Sequence, residues 1–302
     1  MNNLNSKKFE CTGCFLCGDI CPTGAIKMVR DEEGFYQFNI EENKCTECGL
    51  CVKKCPKLNA IKKNKASKNC YAAYSKDNDV LFVSSSGGIF SELAKVILTD
   101  NGVVIGAAWI ENDIKHIYID SLNDLEKLRS SKYIQSNLEG IYMIIKEKLN
   151  EKRKVLFTGT PCQVAALKNF IEDDNLYLID LVCHGVPSKL VLDASIKQRF
   201  NKDDLRVNFR SKTTGWHYKY SLEYYNKNYK KTNKNTADGW FKGYLNNNFL
   251  KKDCYDCNFT GINRVADITL GDFWGIGQIN KEFYKENNDK GVSLVLINND
   301  KG

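Results

Sequence analysis

CTGCFLCGDICP, Cys11 to Pro22, returns in pattern as CTECGLCVKKCP, Cys45 to Pro56, so each copy spaces its cysteines C-x2-C-x2-C-x3-C and closes on proline. Thiolates two residues apart in a turning backbone can converge on three irons of one cubane cluster, while the fourth cysteine of each run turns toward the other cluster. The crossed sets are therefore Cys11, Cys14, Cys17 and Cys55 on one side, and Cys45, Cys48, Cys51 and Cys21 on the other. The alternative, a structural zinc or disulfide module, fits less well because zinc sites seldom use such a triple run twice. Two 4Fe-4S clusters are the expected cofactors of this segment.

Working outward, AIKMV and GFYQF flank RDEEG between the two runs and predict a small hairpin within Ala25–Ile40. Phe9, Phe15, Leu16, Ile20, Leu50 and Val52 are the apolar residues available to shield the clusters. A two-cluster ferredoxin-like domain over 1–62 follows, then a basic linker over 63–69. Lysines at 62, 63, 65 and 68 make that stretch a solvated connection. The start of the chain has no signal-peptide pattern, and no apolar run reaches the ~18 residues of a membrane span. With thirteen cysteines, this implies a reducing, cytoplasmic setting. The formal charge of +7 counts cysteines as neutral. Cubanes with four thiolates carry roughly two negative charges each, which removes the argument for a nucleic-acid partner.

Beyond the linker, residues 70–302 alternate strand and helix patterns. Cys70–Ser75 predicts a strand, with Cys70 as a small core residue. SSSGG at Ser84–Gly88 precedes a helix whose apolar face is Ile89, Phe90, Leu93, Val96 and Ile97. VVIGAAWI, IKHIYID, the LF strand before TGTPC, and NLYLIDLVCHG predict further strands. The fold class expected is an α+β ferredoxin-like N-terminal domain, then an α/β domain with a mostly parallel sheet and an irregular cluster-binding C-terminal region. Both SSSGG and TGTPC have the hydroxyls and unhindered amides of phosphate-cradling turns, but neither matches a dinucleotide or P-loop fingerprint. Tight strand-to-helix connections explain them equally.

SSSGG, SKYIQS, LFTGTPCQ, LVCHGVPS and GDFWGIG, in that order across Tyr71–Gly277, resemble the beta subunits of deazaflavin (coenzyme F420) hydrogenases and dehydrogenases. The resemblance implies FAD beside an iron–sulfur cluster. It implies a flavin pocket formed by Ser86, Gly87, Gly88, Lys132, Tyr133, Thr158, Gly159, Thr160, Pro161 and Gln163. Arg210, Lys212 and Trp216 become candidate ligand contacts, against a surface salt bridge and a core tryptophan. Expected partners are ferredoxin or a redox partner subunit, and a small-molecule electron acceptor or donor. The implied activity is that of an iron–sulfur flavoprotein oxidoreductase, with a non-enzymatic relay subunit or a reductase of another metabolite as alternatives.

Of the remaining cysteines, Cys162 and Cys183 follow neighbouring strand ends, and CYDC adds Cys254 and Cys257. These four are expected to hold a third 4Fe-4S cluster; zinc, a redox-active pair, buried thiols, or His184 replacing one cysteine are the rivals. Asp272 is either a proton handler or a turn cap, Arg264 and Asp267 are a candidate pair, and 226–236 is expected to be an exposed excursion.

Overall fold

Residues 2–65, 69–217 and 219–302 are described by a computed structural model. Residues 66–68 of the expected linker, Lys68 included, lie outside the described residues.

In the N-terminal unit, helices α1 (Leu16–Asp19) and α2 (Leu50–Lys54) begin within the two cysteine runs. The expected hairpin is β1 (Ile26–Arg30) against β2 (Tyr36–Ile40), with Met28 opposite Phe38. The body contributes β3 (Asn69–Ala73), α3 (Asn78–Val83), α4 (Ile89–Thr99), β4 (Val103–Ile110), β5 (Asp113–Ile119), α5 (Leu125–Leu128), α6 (Ile141–Asn150), β6 (Val155–Gly159), α7 (Pro161–Phe170) and β7 (Leu176–Leu181). It continues through α8 (Lys189–Phe200), β8 (Arg206–Ser211), β9 (Ser221–Asn226), β10 (Tyr229–Lys234), α9 (Gly239–Leu245), β11 (Ile268–Asp272) and β12 (Ser293–Ile297).

Seven strands form one sheet in the order β3-β12-β11-β7-β6-β4-β5. The central strands β11, β7, β6 and β4 are parallel, and both margins turn antiparallel. Alternation sorts the side chains of the central strands onto two faces. Val103, Ile105, Val155, Phe157 and Leu178 pack with α6 and α7, whereas Val104, Leu156 and Ile179 pack with α4 and α5. A second sheet, β10-β9-β8, builds its own apolar core with α8 and α9 around Phe209, Tyr224 and Trp240.

Four local expectations change. Val96 is 67% exposed, because the buried side of α4 is Ser91, Ala94, Ile97 and Leu98. Cys70 is exposed, since β3 is the sheet's edge and pairs only with β12. The 226–236 stretch contains β10, the largely exposed outer strand of the small sheet. Arg264 faces Asp180 at 3.6 Å, and Asp267 instead accepts from the Leu178 amide at 2.7 Å.

The N-terminal unit shares its core with the body: Cys14, Phe15, Leu16, Ile20 and Tyr36 are buried together with Ile105, Tyr142, Phe157 and Val164. Polar clamps fix the same face. Tyr142 donates its hydroxyl to the Cys14 carbonyl at 2.6 Å, and Asp19 accepts from the Gly140 and Tyr142 amides at the start of α6. Gln135 donates to the Thr12 carbonyl and accepts from the Tyr36 amide. Gly13, at φ 67°, admits that clamp, since a Cβ there would stand 2.2 Å from the Gln135 amide nitrogen. Lys63 and Asn64, expected in a solvated linker, hydrogen-bond the Asn258 and Arg264 carbonyls.

Replacing Tyr142 by Phe leaves the buried Cys14 carbonyl without this donor and is expected to cost about 1–3 kcal/mol. Phe157→Ala opens a cavity where the two units meet and is expected to cost about 3–5 kcal/mol. Anaerobic denaturant unfolding checks both values; no loss in either variant contradicts the shared core.

Candidate redox site

The first cavity is lined by Cys11, Cys14, Cys17 and Cys55 with Phe9, Phe15, Met28 and Phe38. The second is lined by Cys21, Cys45, Cys48 and Cys51 with Asn3 and Ile26. Each therefore collects three cysteines from one run and one from the other. Among the described residues, no three histidine, cysteine or acidic side chains gather closely enough for a single metal ion. The thiols instead stand around a volume, as a multi-atom cluster requires.

Charge explains why bare thiolates do not suit these cavities. Burial, followed by the neighbouring Cys11 and Cys55 charges, pushes Cys14 up to about 12. Burial and then Cys14, Cys11, Cys55 and Cys51 hold Cys17 well above an ordinary thiol. A cationic iron core reverses this repulsion and deprotonates its ligands. Donors aimed at sulfur are already in place: Gly13 N lies 3.3 Å from Cys11 Sγ, and Asn3 Nδ2 lies 3.7 Å from Cys45 Sγ. At Cys21 burial is outweighed by the Thr23 hydroxyl and the Thr23, Ala25 and Ile26 amides, which lower its pKa.

The third expected set is also drawn together, by a different device. Cys162 lies in the first turn of α7, and Cys183 follows β7. The Cys254 loop is pinned beside the latter by the Pro187–Leu250 bridge and by Lys251 N donating to Val186 O at 2.8 Å. Burial and then the Cys254 and Cys257 charges push Cys183 up to about 12, although part of this residue reaches solvent. Burial also raises Cys162, and Cys183, Cys14 and Cys254 add to that rise. Cys14 thereby belongs to the electrostatic surroundings of both the first and the third sets. His184 bonds the Tyr244 carbonyl through Nε2 at 3.2 Å.

The motif residues expected around a flavin are joined by hydrogen bonds. Ser131 N donates to Ser85 Oγ at 2.7 Å, Gln163 Nε2 donates to Ser136 Oγ at 3.0 Å, and Gln163 Oε1 accepts from Thr160 N at 2.9 Å. Pro161 opens α7 after Thr160, and the Thr158 carbonyl bonds His116 Nε2 at 3.0 Å at the end of β6. Gly159 ends β6, and Gly88 caps α4. Several donors are engaged by the chain itself. Ser86 Oγ donates to Val292 O, Gly87 N to Ser293 Oγ, and Lys132 Nζ to the Lys127, Leu128 and Arg129 carbonyls. A Cβ on Gly87 would meet Ala73 O at 2.3 Å, so this glycine serves the packing of the serine loop on β3. Burial without a carboxylate partner pushes Lys132 down to about 7.

Arg210 is the side chain that sequence reasoning underrated. It is 4% exposed and forks onto Asp272 at 2.6 and 3.2 Å, while also donating to Tyr133 OH at 3.2 Å and Ser85 O at 3.4 Å. Asp272 further accepts from Trp216 Nε1, so it is neither a simple turn cap nor a free proton handler. Trp216 is fully buried, as the core alternative held. Lys212 donates to the Leu81, Ser86 and Lys290 carbonyls. His116 Nδ1 and Arg210 Nε are buried with no hydrogen-bond partner among the described residues, while the His116 ring stacks on Phe157 and the Arg210 guanidinium lies over Tyr220 and Trp274.

Residues 152–302 match the family model for the C terminus of the coenzyme F420 hydrogenase/dehydrogenase beta subunit, and residues 10–59 match a 4Fe-4S dicluster domain. The chain is similar to an uncharacterised ferredoxin of Methanocaldococcus jannaschii, 40% identical over 17% of this chain and 65% of that one. It is similar to the polyferredoxin protein MvhB of Methanothermobacter marburgensis, 51% identical over 15% of this chain and 12% of that one. An uncharacterised protein of Methanocaldococcus jannaschii is 24% identical over 55% of this chain and 54% of that one. The chain thus spans less than two thirds of each of these curated relatives. In fold it resembles a chain of the F420-reducing NiFe hydrogenase complex from Methanosarcina barkeri, with a TM-score of 0.51 and 18% identity over 79% of this chain and 77% of that one. No helix among the described residues is long and apolar enough to cross a membrane.

Asp272→Asn strands the buried Arg210 charge and is expected to cost about 3–5 kcal/mol. Adding Arg210→Met should recover part of that loss. A double-mutant cycle by thermal unfolding checks the coupling, and additive losses contradict it.

Proposed function

We propose that this chain, which belongs to the coenzyme F420 hydrogenase/dehydrogenase beta-subunit family, is an iron–sulfur flavoprotein oxidoreductase. It passes electrons between ferredoxin or a partner subunit and a two-electron acceptor, with a deazaflavin coenzyme as the leading acceptor. The observation that carries the reading is geometric: each N-terminal cavity is lined by three cysteines of one run and one of the other, and Cys162 and Cys257 pack against the same core that buries Cys14. Cys51 influences Cys17 and Cys55 across the first two sets, and Cys14 influences Cys162 across the first and third.

In this reading Cys11, Cys14, Cys17 and Cys55 hold one cluster, and Cys21, Cys45, Cys48 and Cys51 hold the second. Cys162, Cys183, Cys254 and Cys257 hold the third. The FAD site draws on Ser86, Gly87, Gly88, Lys132, Tyr133, Thr158, Gly159, Thr160, Pro161 and Gln163. Bound flavin supplies the conversion between one-electron and two-electron chemistry. The chain's own contribution is to orient and to exclude water. Phe9, Phe15, Met28 and Phe38 wall the first cavity, and Arg210 ties the serine loop to Tyr133 and Asp272.

A second reading, a relay subunit without flavin, is favoured by one observation: Ser86, Gly87 and Lys132 already spend their donors on the protein. Anaerobic purification with iron, sulfide and released-FAD assays separates the two. The enzyme reading expects about twelve irons and one FAD per chain, whereas about eight irons without flavin overturn both the third cluster and the flavin site. Cys162→Ala is expected to lose about four irons and leave the other eight in place.

With FAD established, loss of the deazaflavin's absorbance on mixing with the dithionite-reduced protein supports that acceptor. Turnover with other two-electron acceptors alone rejects it.

A further inference from the structure

Lys251 is 2% exposed, so its ammonium has left water almost entirely. Its Nζ donates to the Tyr36 carbonyl of the N-terminal unit at 3.0 Å and lies 5.4 Å from the Phe35 ring centroid. Its backbone belongs to the other side of the junction: the amide donates to Val186 O, and the carbonyl accepts from Cys254 N at 2.8 Å. The side chain therefore crosses from the third cysteine set to the first, because the Tyr36 carbonyl it reaches lies against Gly13, whose amide points at Cys11 Sγ.

The nearby acids Asp31 and Asp253 favour its charged form but hold their own partners elsewhere. Asp253 is paired with Lys57, and Asp31 accepts from the Glu33 and Phe35 amides at 3.1 and 2.8 Å. A buried ammonium with one neutral hydrogen-bond acceptor is costly unless anionic charge stands close by. Cubanes with four thiolates carry roughly two negative charges when oxidised and one more after reduction, which is the charge that such a cation meets.

We propose that Lys251 is an electrostatic positioning residue between the first and third cluster sites, a fixed positive charge that raises the reduction potential of both. This rests on the three-cluster reading. Reduction adds one electron to a cluster and changes no protein bond, so a fixed cation favours the reduced state simply by lowering its charge penalty.

The test is a redox titration of the anaerobic holoprotein by electron paramagnetic resonance, with wild type compared with Lys251→Met, Lys251→Gln and Lys251→Arg. Lys251→Met is expected to weaken reduction of the first and third clusters about tenfold each, a downward shift of ~59 mV for a one-electron couple. The Cys21, Cys45, Cys48 and Cys51 cluster should keep its potential, and Lys251→Arg should hold all three near wild type. Lys251→Gln keeps a donor for Tyr36 but no charge, so it must reproduce the shift of Lys251→Met; a wild-type potential in the Gln variant overturns the proposal. Lowered thermal stability with unmoved potentials likewise makes Lys251 a structural bridge only. About eight irons in the wild type overturn the three-cluster reading and the bridging role together. About twelve irons with unmoved potentials overturn the role of Lys251 alone.

Discussion

The structure depends on the burial of one face of the cysteine-rich unit in the core of the large sheet. Phe15 and Tyr36 meet edge to face at 4.7 Å and share their core with Tyr142 and Phe157, which come from α6 and β6. So small a unit builds only a slight core of its own, around Leu4, Ile26, Ile40 and Cys51, and its cavities take up interior volume that side chains elsewhere would fill. Leaning on the body solves both difficulties. It also makes the position of Cys14 relative to Cys162 a property of the packed core rather than of a connecting segment, and the Tyr142 hydroxyl on the Cys14 carbonyl fixes it further.

A second constraint is charge. Thiols gathered in three sets, ten of the twelve buried or half-buried, repel as thiolates, and burial is the largest cause that raises most of them. The surrounding protein answers with backbone amides at Cys11 and Cys21, with Lys251 between two sets, and with Arg264, which lowers Cys183. Arg210 and Asp272 are a separate arrangement: a buried fork between the serine loop and β11 whose worth lies in holding three motifs together. Such a pair gives position more than stability.

The cysteine runs were legible because ligand chemistry restricts spacing so tightly that side-chain identity and interval suffice. The hairpin at Ile26–Arg30 and Tyr36–Ile40 was legible from its apolar clusters around a polar turn, and the central strands from apolar runs. Val96 and Cys70 misled for a shared reason: periodicity identifies an element but not which side of it finds a neighbour. Arg210 was underrated because its burial depends on Asp272, which follows it after more than sixty positions of chain, and no local pattern announces such a partner. Lys251 left no signal at all, since a lysine beside another lysine before a C-x2-C pair reads as solvent-facing charge.

By itself, the sequence determined which atoms can bind metal and that an alternating α/β body follows the cysteine runs, because thiolate spacing and apolar period act within a few residues. Only the tertiary structure decided that the Cys14 set adjoins the Cys162 set, that Lys251 bridges them, and that the motif donors at Ser86, Gly87 and Lys132 are already engaged. Those are relations between segments far apart in the chain, and they exist only once the shared core has closed around them.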